Sequence, residues 1–155
     1  MRHLLAAAVL LGLSPVAGAT EINVSLAPDF TEKLTEDYGL REGDYLAESV
    51  RRDLQRALER AGADVARVDV TILDAKPSRP TFKQGGDSPG LDMFRSVSLG
   101  GMKLSAVAYD ASGEASEPFA YDWYEHDIRQ AGITTWQDAK RASSRFATRF
   151  AETVD

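Results

Sequence analysis

The sequence predicts an α+β fold: a two-layer sandwich in which a mainly antiparallel sheet of about four strands carries two amphipathic helices on one face. Three observations predict it. Apolar residues alternate with polar ones in several short segments, two long segments place apolar residues at helical spacing, and the order of these segments is strand, helix, strand, strand, strand, helix. No internal repeat and no composition break divides the chain, so residues 20–155 read as one domain.

In the first strand, EINVSLA (21–27), Ile22, Val24 and Leu26 alternate with polar neighbours until Pro28 ends the run. In PDFTEKLTEDYG, Phe30, Leu34 and Tyr38 fall four apart, which fits either a short helix closed by Gly39 or an irregular loop. Asp44 can cap a helix running to Ala61, because Leu46, Val50, Leu54, Ala57, Leu58 and Ala61 form one stripe and Gly62 supplies the stop. Glu48, Arg52, Arg56 and Glu59 then make a solvated face.

VDVTILDA (68–75) reads as the second strand. The prolines that follow place its end at a sheet edge or at a bulge. A long loop from Lys76 to Arg95 comes next. Ser96–Asp110 reads as the third strand, with a bulge or bend at Gly100-Gly101. The turn Ala111-Ser112-Gly113-Glu114 leads into a fourth strand from about Glu117 to Ile128, making a hairpin. The last helix opens at TTWQD, where Thr134 and Gln137 have capping-box spacing. Trp136, Ala139, Ser143, Phe146, Ala147, Phe150 and Val154 share its apolar face, and Arg141, Arg145 and Arg149 fall opposite. By phase, Trp136 should pack on the aromatic face of the fourth strand.

The N-terminus, MRHLLAAAVLLGLSPVAGAT, joins a positive Arg2 to an apolar run, Leu4 to Leu13, and a small-x-small site, Ala17-Gly18-Ala19. This is the pattern of a secretory signal cleaved after Ala19, and it is too short to serve as a membrane anchor. No later run approaches the length of a span, so a soluble mature protein is expected. Thr20 follows the cleavage site and the chain has no cysteine. Lipidation through cysteine and disulfides are thereby excluded, and a periplasmic or secreted bacterial domain stabilised by core burial alone is expected. Loss of Arg2 makes the net charge of −6 one unit more negative. Such a charge repels phosphate backbones, so nucleic acid is not an expected partner.

Residues 119–128, FAYDWYEHDI, concentrate aromatics, carboxylates and a histidine. As a strand, they place Phe119, Tyr121 and Trp123 toward the helices and Ala120, Asp122, Tyr124 and His126 on the open face. Asp122 and His126 would then be about 13 Å apart and could not form a dyad within the segment. His126 is the only histidine outside the leader. One histidine and no cysteine do not make a zinc site, and Asp87 and Asp92 in DSPGLD lack the calcium-loop pattern. No G-x-S-x-G and no glycine-rich phosphate loop is present. No metal and no cofactor is therefore expected.

The loop 76–95 mixes Lys76, Arg79, Lys83 and Arg95 with Leu91, Met93 and Phe94, the composition of a contact site on an acidic protein. The alternative is that Leu91 and Phe94 fold back and cap the sheet. The residues nominated for binding are Arg79, Lys83, Phe94, Arg95, Asp122, Tyr124 and His126. Two functions are compatible with them: a non-catalytic module that binds an envelope protein or other periplasmic component, or a small hydrolase or other enzyme centred on His126 with Tyr124.

The V-x-L strand at Val24, ALERAG (57–62), VDVTILDA, the hairpin with DASGE (110–114) and the closing amphipathic helix together resemble small secreted proteins of proteobacteria. The order of elements also resembles the curli-export lipoprotein and the auxiliary lipoproteins of lipid transporters, without their lipobox cysteine. The resemblance implies an envelope role and transfers no catalytic motif.

Overall fold

A computed structural model of the chain describes residues 18–154. Nearly all of the expected leader, 1–17, lies outside the described residues. The elements are β1 (Glu21–Leu26), α1 (Pro28–Lys33), a π turn (Leu34–Tyr38), α2 (Leu40–Ala61), β2 (Arg67–Lys76), α3 (Phe82–Asp87), β3 (Gly101–Tyr109), β4 (Phe119–Tyr124) and α4 (Gln137–Thr153). The fold is α+β.

The four strands lie in the order β1-β2-β3-β4; β1 pairs parallel with β2, and the other two pairings are antiparallel. The parallel pair follows from α2, which carries the chain back to the starting end before β2 begins. Register places Val24 beside Val70, Val70 beside Ala106 and Ala106 beside Phe119, so one face is apolar across all four strands. Against that face α2 packs on β1, α4 packs on β3 and β4, and the two helices touch each other. Val50, Leu54, Ile72, Leu104, Phe146 and Phe150 are fully buried in this single core. The other face carries Asn23, Asp69, Thr71, Lys103, Ser105 and Asp122, with Asp74 ion-paired to Lys33 of α1.

The apolar stripes of α2 and α4 are buried as the periodicity requires. Gly62 ends α2 in the left-handed conformation, with φ of 67°, and its N–H closes on Leu58 and Glu59. Four boundaries differ from the sequence expectation. First, α2 starts at Leu40, four residues before Asp44, because the π turn and Gly39 (φ 103°) redirect the chain without a side-chain cap.

Second, β3 starts at Gly101. Residues 96–100 instead bind the loop after β2, where Ser98 N–H donates to Ser78 O and Ser98 Oγ to Pro77 O. A Cβ on Gly100 would lie 2.5 Å from Ser78 Oγ, so this glycine permits close approach rather than a bulge. The sheet's irregularity falls in β2, between Ile72 and Asp74.

Third, β4 ends at Tyr124, because Glu125 turns inward and accepts the N–H groups of His126 and Asp127. Fourth, Thr134 and Gln137 do not form a capping box. Gln137 Oε1 accepts from Ile133 N–H, and the N–H of Asp138 is met by Ser78 Oγ, sixty residues away. A capping box does form at α3, between Thr81 and Gln84.

The arginines of α4 are not opposite the sheet. Arg145 lies 4.2 Å over the Trp123 ring and Arg149 5.3 Å over Tyr121, so they cover the β4 edge. Trp136 is buried as expected, but its aromatic partner is Tyr38, edge-on at 5.7 Å; the β4 rings Phe119 and Tyr121 belong to Phe146 and Phe150.

A cleft at the loop end of the domain is the candidate functional site

Ser78 and Asp138 organise this end of the molecule. Both are fully buried, and Ser78 Oγ donates to Asp138 Oδ2 at 2.7 Å. The same oxygen accepts Gly132 N–H at 3.0 Å, and Oδ1 accepts from Arg141 at 2.8 Å. A buried carboxylate is expensive unless its lone pairs are filled, and here a hydroxyl, an amide and a guanidinium fill them. The loop 77–100 and the loop 125–136 are thereby tied to the first turn of α4.

Arg79 reinforces the tie. Its Nε donates to Gly132 O at 3.0 Å, and its Nη1 to Phe94 O and Ser96 O at 3.3 and 3.4 Å. Asp92 Oδ1 accepts the N–H groups of Phe94 and Arg95, setting the turn that presents them. The capping box starts α3 directly after Pro80, which places Phe82 at the first helical position.

Between these loops and the start of α2 lies an open cleft of about 680 Å³. Its walls are Tyr45 from α2, Phe82, Met93 and Phe94 from the first loop, and Ile133 and Trp136 from the second. Phe82 is 88% exposed, Phe94 91%, Ile133 78% and Tyr45 44%. Polar groups are few: Glu42, Arg79 and the threonines 81, 134 and 135. Glu42 is held in place by Trp136 Nε1–H at 2.5 Å. The cleft lies in the size range of small-ligand sites, and its mix of apolar wall with few fixed polar groups is that of a binding cavity.

Of the seven residues nominated from sequence, Arg79 and Phe94 line the cleft. Lys83 adjoins it on α3 with its ammonium on Asp87, and Arg95 is an exposed neighbour of Phe94. Phe94 does not fold back on the sheet. Asp122 stands on the open sheet face opposite Lys103. On the same face, Tyr124 donates its hydroxyl to Asp74 Oδ2 at 3.2 Å. Burial and then the Asp74 charge push the Tyr124 phenol well above its ordinary pKa.

His126 is in the loop beyond β4, 89% exposed, with Glu125 at 3.8 Å as its nearby carboxylate. Tyr124 and His126 are therefore not brought into one site. Among the described residues no three acidic or histidine side chains converge in a metal-holding group.

Sequence reading did not assign Tyr45, Phe82, Ile133 and Glu42 to the site. For Phe82 a signal existed: T-F-K-Q (81–84) has capping-box spacing and makes Phe82 an exposed first-turn residue. For the others no local signal marks the convergence. Compared with known proteins, the chain matches no family model, no curated protein and no solved structure.

Proposed function

We propose that the domain is a non-catalytic binding module of the bacterial envelope, exported by its N-terminal leader, and that the cleft is where it takes its ligand. One observation carries the proposal: four large apolar side chains stand exposed around a single cleft whose supporting loops are anchored by buried hydrogen bonds. Exposed apolar side chains scattered singly are ordinary, whereas a rigidly supported cluster marks a contact surface. Preorganised walls lower the ordering cost of binding. The leader pattern, the absence of cysteine and the similarity of element order to envelope lipoproteins support the setting.

A neutral apolar dye, N-phenylnaphthylamine, tests the site. It should bind the purified protein at one site with enhanced fluorescence, and the double variant Phe82→Ser, Phe94→Ser should bind at least about tenfold more weakly. Equal binding to both proteins, or none to either, overturns the reading of the cleft. The setting is tested by cell fractionation: a periplasmic or secreted product beginning at Thr20 is expected, and an unprocessed cytoplasmic product overturns it.

A further inference from the structure

Resting on the reading of the cleft as a ligand site, we propose that its ligand is a small amphiphile with one anionic head, a carboxylate on an apolar chain, set against Arg79. Arg79 is partly buried, yet all three of its hydrogen bonds go to neutral backbone carbonyls. No carboxylate lies within ion-pair distance of it among the described residues. A charge withdrawn from water is normally paired, so this guanidinium has an uncompensated preference for an anion.

Its Nη2 has two N–H groups without an acceptor among the described residues. Nη2 of Arg79 is not among the fully enclosed polar atoms that lack a hydrogen bond, so it keeps some access to solvent, and the residue lines the cleft. The carbonyl bonds hold the guanidinium plane fixed, so little side-chain freedom remains to be lost when an anion docks. Such a bond is charge-assisted and about twice as strong as a neutral one.

The other charges around the cleft set the orientation of the ligand. Glu42, fixed by Trp136, repels an anionic head from the α2 side, so the head belongs at Arg79 and the chain runs along Phe82, Phe94 and Ile133. Lys83 is neutralised by Asp87, whereas Arg95 beside Phe94 has no acidic partner among the described residues and adds positive potential near the rim. On a chain with net charge −6, this rim is a local exception that an anion can approach.

The test uses two dyes with one ring system, neutral N-phenylnaphthylamine and anionic anilinonaphthalene sulfonate, and two competitors with one chain, decanoate and decanol. On the wild-type protein decanoate should displace either dye at a concentration about tenfold lower than decanol. Because Arg79 also ties the cleft loops, both dyes should weaken in Arg79→Gln, but the sulfonate dye about tenfold more than the neutral one, with Arg79→Lys intermediate; equal weakening of the two dyes overturns the charge contact. Equal competition by decanoate and decanol on the wild type overturns the anionic head while leaving the cleft reading intact. Failure of both dyes to bind overturns the cleft reading itself. A peptide ending in apolar residues that displaces the dye at lower concentration than decanoate overturns the small-molecule assignment.

Discussion

Asp138 shows how one side chain can govern a distant surface. Its carboxylate joins Ser78, Gly132 and Arg141, and no solvent reaches it. Asp138→Ala strands the Gly132 amide and the Ser78 hydroxyl, whereas Arg141 is 39% exposed and keeps Gln130 O, so a loss of about 2 to 4 kcal/mol in urea denaturation is expected. Tyr124 makes a different prediction. Burial raises its folded pKa above the ordinary 10.0, and Tyr38 is raised for the same leading reason. The neutral phenols therefore contribute stability that is fully present below pH 10 and is lost as pH rises through their folded pKa values. The urea midpoint should fall above pH 10, and Tyr124→Phe should make that fall shallower; an unchanged alkaline slope would contradict the half-buried phenol.

At the scale of elements, α4 is fixed by three faces that helical periodicity distinguishes only in part. Phe146 and Phe150 stack with each other at 5.9 Å and meet Phe119, which fills the space between helix and sheet. Trp136 closes the other end against Tyr38 and Glu42. Trp136→Ala should cost about 3 to 5 kcal/mol, since it removes a buried aromatic and leaves Glu42 without its donor. Arg145→Ala removes only a cation–π contact at an exposed site and should cost about 0.5 to 1 kcal/mol. The two urea midpoints should differ clearly, and equal midpoints would mean that Trp136 is not core.

For the whole molecule, stability and binding are largely separated in space, with Trp136 the side chain that belongs to the core and also lines the cleft. The core lies between the apolar sheet face and α2 and α4, and no cysteine is present to cross-link it. The cleft belongs to loops whose apolar tips contribute nothing to that core. Phe82→Ser with Phe94→Ser should therefore shift the unfolding midpoint by an amount equivalent to less than about 0.5 kcal/mol per site while weakening dye binding. Unfolding should remain a single cooperative transition, as for one domain of this size. A large stability loss in that double variant would place the two rings in the fold rather than in a site.

Local periodicity made the core legible. Alternation in 21–26, 68–72 and 119–123 sorted the faces of three strands, the stripes from Leu46 and from Ala139 sorted two helices, and Gly62 marked a helix end. These patterns are legible because burial of one face repeats at the fixed spacing of each element, so neighbours in sequence carry the signal. Alternation also extended β3 back to Ser96 and β4 on to Ile128, since nothing local says where backbone groups leave a ladder. The loops left it to meet other partners: Ser98 binds Pro77 and Ser78, the Glu125 carboxylate accepts the N–H groups of His126 and Asp127, and Ser78 caps α4 in place of Thr134. The cleft has the same origin. Arg79 and Phe94 could be nominated from composition, but Tyr45, Phe82, Ile133 and Trp136 lie far apart in the chain and meet because buried polar groups must find partners across it, a requirement that has no sequence period.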